Sequence, residues 1–385
     1  MKIEKVVVLG ANGTMGAGSA EVFAAGGCEV VCLARSADKA AEGIETAKNM
    51  AKSEEIADRM SAGSYDADLE KAVAGADLIF EALAEDLALK KTFFERVDAA
   101  RRPDSLVATV SSGLSITDMA AGRSDSFRRN FLGIHLFNPA NVIVGTEVIP
   151  HADTDPALVP AVVEMMESRF GRVITRCRDM PAFAGNRVGF KVLNEVAQLA
   201  GEHGIAFMDY LIGPYTGRAM APLATVDLVG WDVHKAIIDN VYDNLADEAH
   251  ATFAMPAYMA ALLDKGHLGN KTPKLGGFYR RVKEDGKNVS LVLAPATGDY
   301  RHPSEVKVAR LPFVEKMRAL HRIGCYEEAM QTFLAAEGPE ADLARKVILG
   351  YVSYGLNRVG DAEVVSEARE VDLIMGFGFN WAPPS

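Results

Sequence analysis

Short apolar runs separated by glycine turns or by polar stretches of helical period fill the first half of the chain. Residues 6–9 (VVVL) are β-branched, GANGTMG follows, and residues 17–25 are small and helix-permissive, which predicts strand, turn and helix. A further buried strand is expected at 29–34 (EVVCLA), a long polar helical stretch across 36–60, and another strand at 76–83 (ADLIFEAL). Additional strands fit 105–110, 130–137, 146–150 and 171–177. Strands alternating with helices predict an α/β fold built on a doubly wound parallel sheet.

After Asp179 the alternation stops, and from Pro181 the period is helical; NRVGFKVLNEVAQLAGEHG ends on a glycine suited to a left-handed cap. Residues 283–303 gather charge, Gly, Asn and Pro around SLVLA and read as a linker or hairpin. The expected domains are therefore a doubly wound sheet over 1–180, a helical substrate or dimerisation domain over 181–282, the linker or hairpin 283–303, and a partial second helical domain over 304–385. An echo suggests the last of these. MDYLIGPYTGRAMAP (208–222) and VDLIMGFGFNWAP (371–383) share an Asp, a later Gly and a closing Ala-Pro, although so short a match also arises by chance. If the repeat is real, Leu373, Ile374, Met375, Phe377, Phe379 and Trp381 pack on the first helical domain as an internal pseudo-dimer, and a homodimer uses another surface.

Composition narrows the classes. The chain has 41 basic and 52 acidic residues, a formal charge of −11, which repels nucleic acid and anionic lipid. No apolar run approaches the ~20 residues of a membrane span, and the N-terminal run is too short for a signal peptide. The 4 cysteines, Cys28, Cys32, Cys177 and Cys325, are scattered. They are expected to be reduced, in a cytoplasmic setting and without a metal.

The glycine turn brings in chemistry. Gly10, Gly13 and Gly16, with Asn12, Thr14 and Met15 between them, sit between a first strand and a helix, where backbone N–H groups meet a pyrophosphate at the positive end of the helix dipole. The order is G-x-x-G-x-x-G; the usual fingerprint has its second glycine where this chain has Asn12. An ordinary loop is the bland reading, but the strand–turn–helix context favours a Rossmann domain. At the end of the second strand the carboxylate that binds the NAD ribose is replaced by Ala34, followed by Arg35 and Ser36. Arg35 either holds the 2′-phosphate of NADP or stacks on adenine and reaches solvent.

Taken together, GANGTMG, FEALAEDLALKKTFFERVD, SSGLSITDMAAGRSDSFRRNFLGIHLFNPA, DMPAFAGNRV, GRAMAPLATVDLVGWD and GNKTPKLGGFY occur in order along nearly the whole chain. In this the sequence resembles the 3-hydroxyacyl-CoA dehydrogenase family, specifically the dehydrogenase part of bacterial fatty-acid β-oxidation proteins. The resemblance implies an NAD-dependent oxidation of the 3-hydroxyl of an acyl-CoA, in a cleft between the Rossmann and helical domains. It also implies His135 as general acid/base with Glu147 as its carboxylate partner, Ser112 and Asn186 beside the substrate, and Glu85, Lys90 and Asn138 lining the cofactor. A histidine suits the chemistry because its ordinary pKa of ~6.5 lies near working pH. Two departures stand out: Val110 and Ser111 replace an Asn-Thr pair, and Ile143, Val144 and Gly145 replace a Met-Lys-Leu-like stretch, which leaves acyl-chain length and the hold on CoA open. The alternatives are a dehydrogenase of a free 3-hydroxy acid, of sugar-acid or carnitine type, and, more remotely, a non-catalytic nucleotide-binding protein.

Overall fold

The computed structural model describes residues 1–385. An 8-stranded sheet runs in the order β3-β2-β1-β4-β5-β6-β7-β8. Its strands are β1 Lys5–Leu9, β2 Glu29–Ala34, β3 Met60–Ser64, β4 Leu78–Glu81, β5 Leu106–Thr109, β6 Phe131–Leu136, β7 Gly145–Pro150 and β8 Val173–Arg176. All but β3 coincide with the apolar runs read from the sequence, β1 and β7 each starting one residue earlier. β3 (MSAGS) is an edge strand that buries only Met60 and Gly63 fully, so it carries almost no apolar signal. The stretch read as one helix is Ala37–Ala51 and Glu54–Ala57, followed by this strand.

The sheet is parallel except at one junction, where β6 and β7 pair antiparallel. A parallel return needs a crossover of about a dozen residues or more, and the segment 137–144 between them is too short. The chain therefore doubles back, and His135 falls directly opposite Glu147. Both side chains share one face of the sheet and are buried.

The chain forms two compact units, one of Met1–Gly185 with Arg358–Phe379, the other of Asn186–Asn357 with Asn380–Ser385. This differs from the expected division, in which 304–385 stood apart as one block. In the first unit, the helix Ala368–Phe377 packs on β8 and β7 and buries Val371, Ile374 and Met375. Thr175 Oγ1 on β8 donates to the Glu370 carbonyl at 3.0 Å. This corrects the expected internal pseudo-dimer: Leu373, Ile374, Met375, Phe377 and Phe379 belong to the sheet unit. The reason is a shape match. A Cβ on Gly145 would lie 2.6 Å from the Phe377 carbonyl carbon and 2.5 Å from the Gly378 nitrogen, so only glycine at that β7 position admits the C-terminal segment.

In the second unit, residues 283–303 fall in a three-stranded antiparallel sheet of β9 Tyr279–Glu284, β10 Lys287–Leu293 and β11 Tyr300–Arg301, the hairpin alternative. Trp381 lies here, its ring 4.5 Å from the buried Arg218 guanidinium, which also faces Tyr351 at 5.2 Å. The motifs at 217–232 and 269–279 meet in one knot. Asp227 accepts hydrogen bonds from Trp231 Nε1 at 2.8 Å and from the Phe278 and Tyr279 N–H groups at 2.9 and 2.8 Å. Gly277 fits only without a side chain, since a Cβ would lie 2.7 Å from the Gly269 Cα and 2.0 Å from Asp227 Oδ1. These motifs thus have a packing explanation. His234 is fully enclosed, with Nε2 donating to Asn194 Oδ1 at 3.0 Å, and burial pushes its pKa down to about 3. No helix is long and apolar enough to cross a membrane, and all cysteines are free.

Two outcomes follow for the second unit, whose unfolding is reported by tryptophan fluorescence because Trp231 and Trp381 both lie in it. Gly277→Ala should cost about 1–3 kcal/mol from overpacking, read as a lower urea midpoint; an unchanged midpoint refutes the knot. Below pH ~6.5 the unfolded chain protonates His234 while the folded one does not, so stability present above that pH is lost as pH falls toward the folded value of about 3. Between pH ~6.5 and ~4.5 the native chain should lose about 2 kcal/mol more than His234→Gln. Equal losses would show that His234 does not stay neutral.

Candidate active site

The glycine turn divides its work among its residues. Gly10 has φ 81°, and a Cβ there would lie 2.2 Å from the Ala82 carbonyl oxygen; one on Gly16 would lie 2.1 Å from the Gly10 oxygen. These two glycines let turn, helix and β4 close up. Gly13 is different, for its Cβ would touch only the Gly10 oxygen at 3.4 Å, and Asn12, Gly13 and Thr14 are exposed. The helix Thr14–Ala25 has no side-chain cap, so the N–H groups of Thr14, Met15 and Gly16 point from an open helix start. That cradle fits the pyrophosphate of a dinucleotide. At the end of β2, Ala34 is buried and Arg35 is exposed. Ser36 caps the next helix, accepting from the Lys39 N–H at 3.3 Å, so its hydroxyl already has a structural task.

Between β4 and β5 lies a closed charge network. Lys90 and Glu81 are wholly buried, with Nζ 2.7 Å from Glu81 Oε1. Lys90 also reaches Glu85 at 3.4 Å. Glu85 Oε1 accepts from Ser111 Oγ at 2.5 Å and from the Ser112 and Gly113 N–H groups at 3.0 and 3.2 Å. Burial opposes ionisation of Glu85, yet the Lys90 ammonium and these donors outweigh it and hold its carboxyl below the usual value. Lys90 thus acts from behind, through Glu85, and Glu85 fixes the loop that carries Ser112. The Ser111 hydroxyl is the anchor, which accounts for a hydroxyl residue at that departure from the family pattern.

His135 sits at the centre, 3% exposed. Its Nδ1 is 2.7 Å from Glu147 Oε2 and its Nε2 is 3.2 Å from Ser112 Oγ. The Phe137 and Phe183 rings lie 4.6 and 5.8 Å from the imidazole. Glu147 is fully buried, and its other oxygen, Oε1, accepts the Ala184 and Gly185 N–H groups at 2.9 and 2.8 Å. Those donors are aimed by a turn in which Ala182 and Phe183 both take left-handed backbone angles, φ 61° and 51°. Such angles are strained for residues with a Cβ, and the strain here serves the orientation of Glu147. Asp179 ties the same turn down, accepting from the Ile116 and Thr117 N–H groups at 2.9 and 2.8 Å. Asn186, 5% exposed, follows Gly185 directly and opens the second unit. Asn138 is exposed beyond the end of β6.

The structure therefore brings Ser112, His135 and Glu147 into one hydrogen-bonded line, with Glu85 behind Ser112. Sequence reasoning did not single out Glu81, Ala184, Gly185 or Cys177. Glu81 and the two N–H donors lie inside quoted motifs, which was their only signal.

The profile for the "3-hydroxyacyl-CoA dehydrogenase, NAD binding domain" matches residues 5–180. That for the "3-hydroxyacyl-CoA dehydrogenase, C-terminal domain" matches 183–281. A probable 3-hydroxyacyl-CoA dehydrogenase of Bacillus subtilis is 31% identical over 83% of this chain, which spans only 39% of that relative's length. A probable 3-hydroxyacyl-CoA dehydrogenase of Deinococcus radiodurans is 30% identical over 74% of this chain and 85% of its own. The crystal structure of 3-hydroxybutyryl-CoA dehydrogenase from Escherichia coli K12 shares the fold, with a TM-score of 0.71 at 23% identity, covering 100% of this chain and 90% of that one. With the matched profiles joined end to end across both units, the chain belongs to the 3-hydroxyacyl-CoA dehydrogenase family.

Proposed function

We propose that the protein oxidises the 3-hydroxyl of an acyl-CoA thioester to the 3-oxo form, using NAD, as in fatty-acid β-oxidation. One observation carries the reading: His135 is held between a buried carboxylate on Nδ1 and a serine hydroxyl on Nε2. Oxidising a secondary alcohol removes a proton from oxygen and a hydride from carbon. A bound nicotinamide supplies the hydride acceptor. The proton goes to His135 Nε2, beside which Ser112 Oγ hydrogen-bonds the substrate oxygen. Glu147 keeps the proton of the neutral imidazole on Nδ1, leaving Nε2 free to act as base, and then stabilises the imidazolium. Asn186 hydrogen-bonds the thioester carbonyl and so orients C3. In the reverse direction His135 returns its proton to the alkoxide. The names of the Bacillus and Deinococcus relatives support a CoA thioester over a free 3-hydroxy acid.

For the cofactor, NAD stands first on the family profile. A second reading, NADP, is favoured by Ala34 in the place of a carboxylate and by the exposed Arg35 beside it.

His135→Ala should lower kcat by ~10²–10⁴-fold and leave dinucleotide affinity nearly unchanged, measured as kcat and cofactor Kd side by side. A variant with near native kcat removes His135 from the mechanism. Assays with a 3-hydroxyacyl-CoA and a free 3-hydroxy acid in parallel test the substrate class, and turnover of the free acid alone would overturn it. If Arg35 binds a 2′-phosphate, Arg35→Ala weakens NADP more than NAD by ~1.5–3 kcal/mol. Equal loss for both, read by calorimetric titration, restricts the arginine to stacking and leaves NAD as the cofactor.

A further inference from the structure

The strongest unassigned feature is a third donor on the catalytic carboxylate. Cys177, in the residue after β8, is 3% exposed, and its Sγ lies 3.4 Å from Glu147 Oε1. Burial first, and then the Glu147 charge, push this thiol well above its ordinary pKa, so the sulfur keeps its proton. Glu147 is therefore divided: Oε1 takes the thiol and two backbone N–H groups, while Oε2 is left to His135.

We propose that Cys177 is a positioning residue for the acid/base pair, its S–H drawing charge toward Oε1 and so setting how strongly Oε2 holds the His135 imidazolium. The inference rests on the acid/base reading of His135 above. A hydrogen bond to the ionised carboxylate lowers its basicity, and a less basic partner stabilises the imidazolium less. Without the thiol, His135 gains affinity for a proton; with a stronger hydroxyl donor it keeps or loses some.

The charged groups around the pair come from each neighbouring element. His135 faces Glu147 from β6. Glu370 approaches Cys177 from the helix Ala368–Phe377, its carboxylate held by the Ser366 and Glu367 N–H groups at 2.9 and 3.2 Å and lying 3.6 Å from Arg176. On the Ser112 side stands Glu85, tied to Lys90. Substituting Cys177 alters none of these directly.

The test is the pH profile of kcat/KM for the full chain and for Cys177→Ala and Cys177→Ser, with the His135 imidazole titrated by NMR in the free protein as a readout apart from turnover. Cys177→Ala should move the acid limb up by about 0.5 pH unit, roughly threefold in rate below it, with the plateau kept; this is the size of a weak hydrogen bond. Cys177→Ser should leave the limb at or below its native position. A mere packing role predicts no limb shift, or the same shift in both variants, and either result overturns the proposal. Retained kcat in His135→Ala would instead sink the underlying reading, so the two failures are separable.

Discussion

The antiparallel pairing of β6 with β7 governs this site. It arises because the segment joining them is too short for a crossover, and it sets His135 across from Glu147 with both side chains buried. A carboxylate enclosed there is costly unless every lone pair is used. The neighbouring structure answers that demand: a left-handed turn presents two backbone N–H groups, a thiol adds a third donor, and the imidazole takes the remaining oxygen. The strained Ala182 and Phe183 angles persist because the carboxylate they serve has no solvent to fall back on.

The cofactor side obeys a different constraint. Gly10 and Gly16 are needed for close backbone packing, while Gly13 opens the helix start to solvent, so one motif joins two tasks. Behind it, Lys90 neutralises Glu81 in a dry interior and leans on Glu85, which secures the loop bearing Ser112. A single buried ammonium thereby links the end of β4 to the position of the hydroxyl beside His135.

Much of this was legible in the residues. The apolar runs of β1, β2 and β4 to β8 declare strands because buried parallel strands are continuously hydrophobic. β3 escaped since its MSAGS run is an edge with little to bury. The direction of β7 is absent from any periodicity, which shows the faces of a strand but not its sense. The C-terminal run from Val371 announces that it must be covered, yet amphipathic pattern does not say by what; it packs on β8 and β7, where the missing Cβ of Gly145 leaves room for it. His135, Glu147 and Ser112 were found through the family resemblance, whereas Cys177 carries no mark in the sequence because its meaning lies wholly in a contact with a distant strand.

The helix Ala368–Phe377 has a consequence for how the protein is made. The sheet unit is assembled from both ends of the chain, so during synthesis the β7–β8 face emerges long before the segment that shields it. The nascent chain must carry an apolar surface through translation of the entire helical unit, a period in which nearby copies on the same messenger are a hazard. For the same reason a gene fragment cut after Gly185 would leave bare the part of β7 and β8 that this helix covers, although the linear domain map invites that cut. Moving this sheet unit whole into another protein would mean carrying its distant helix along.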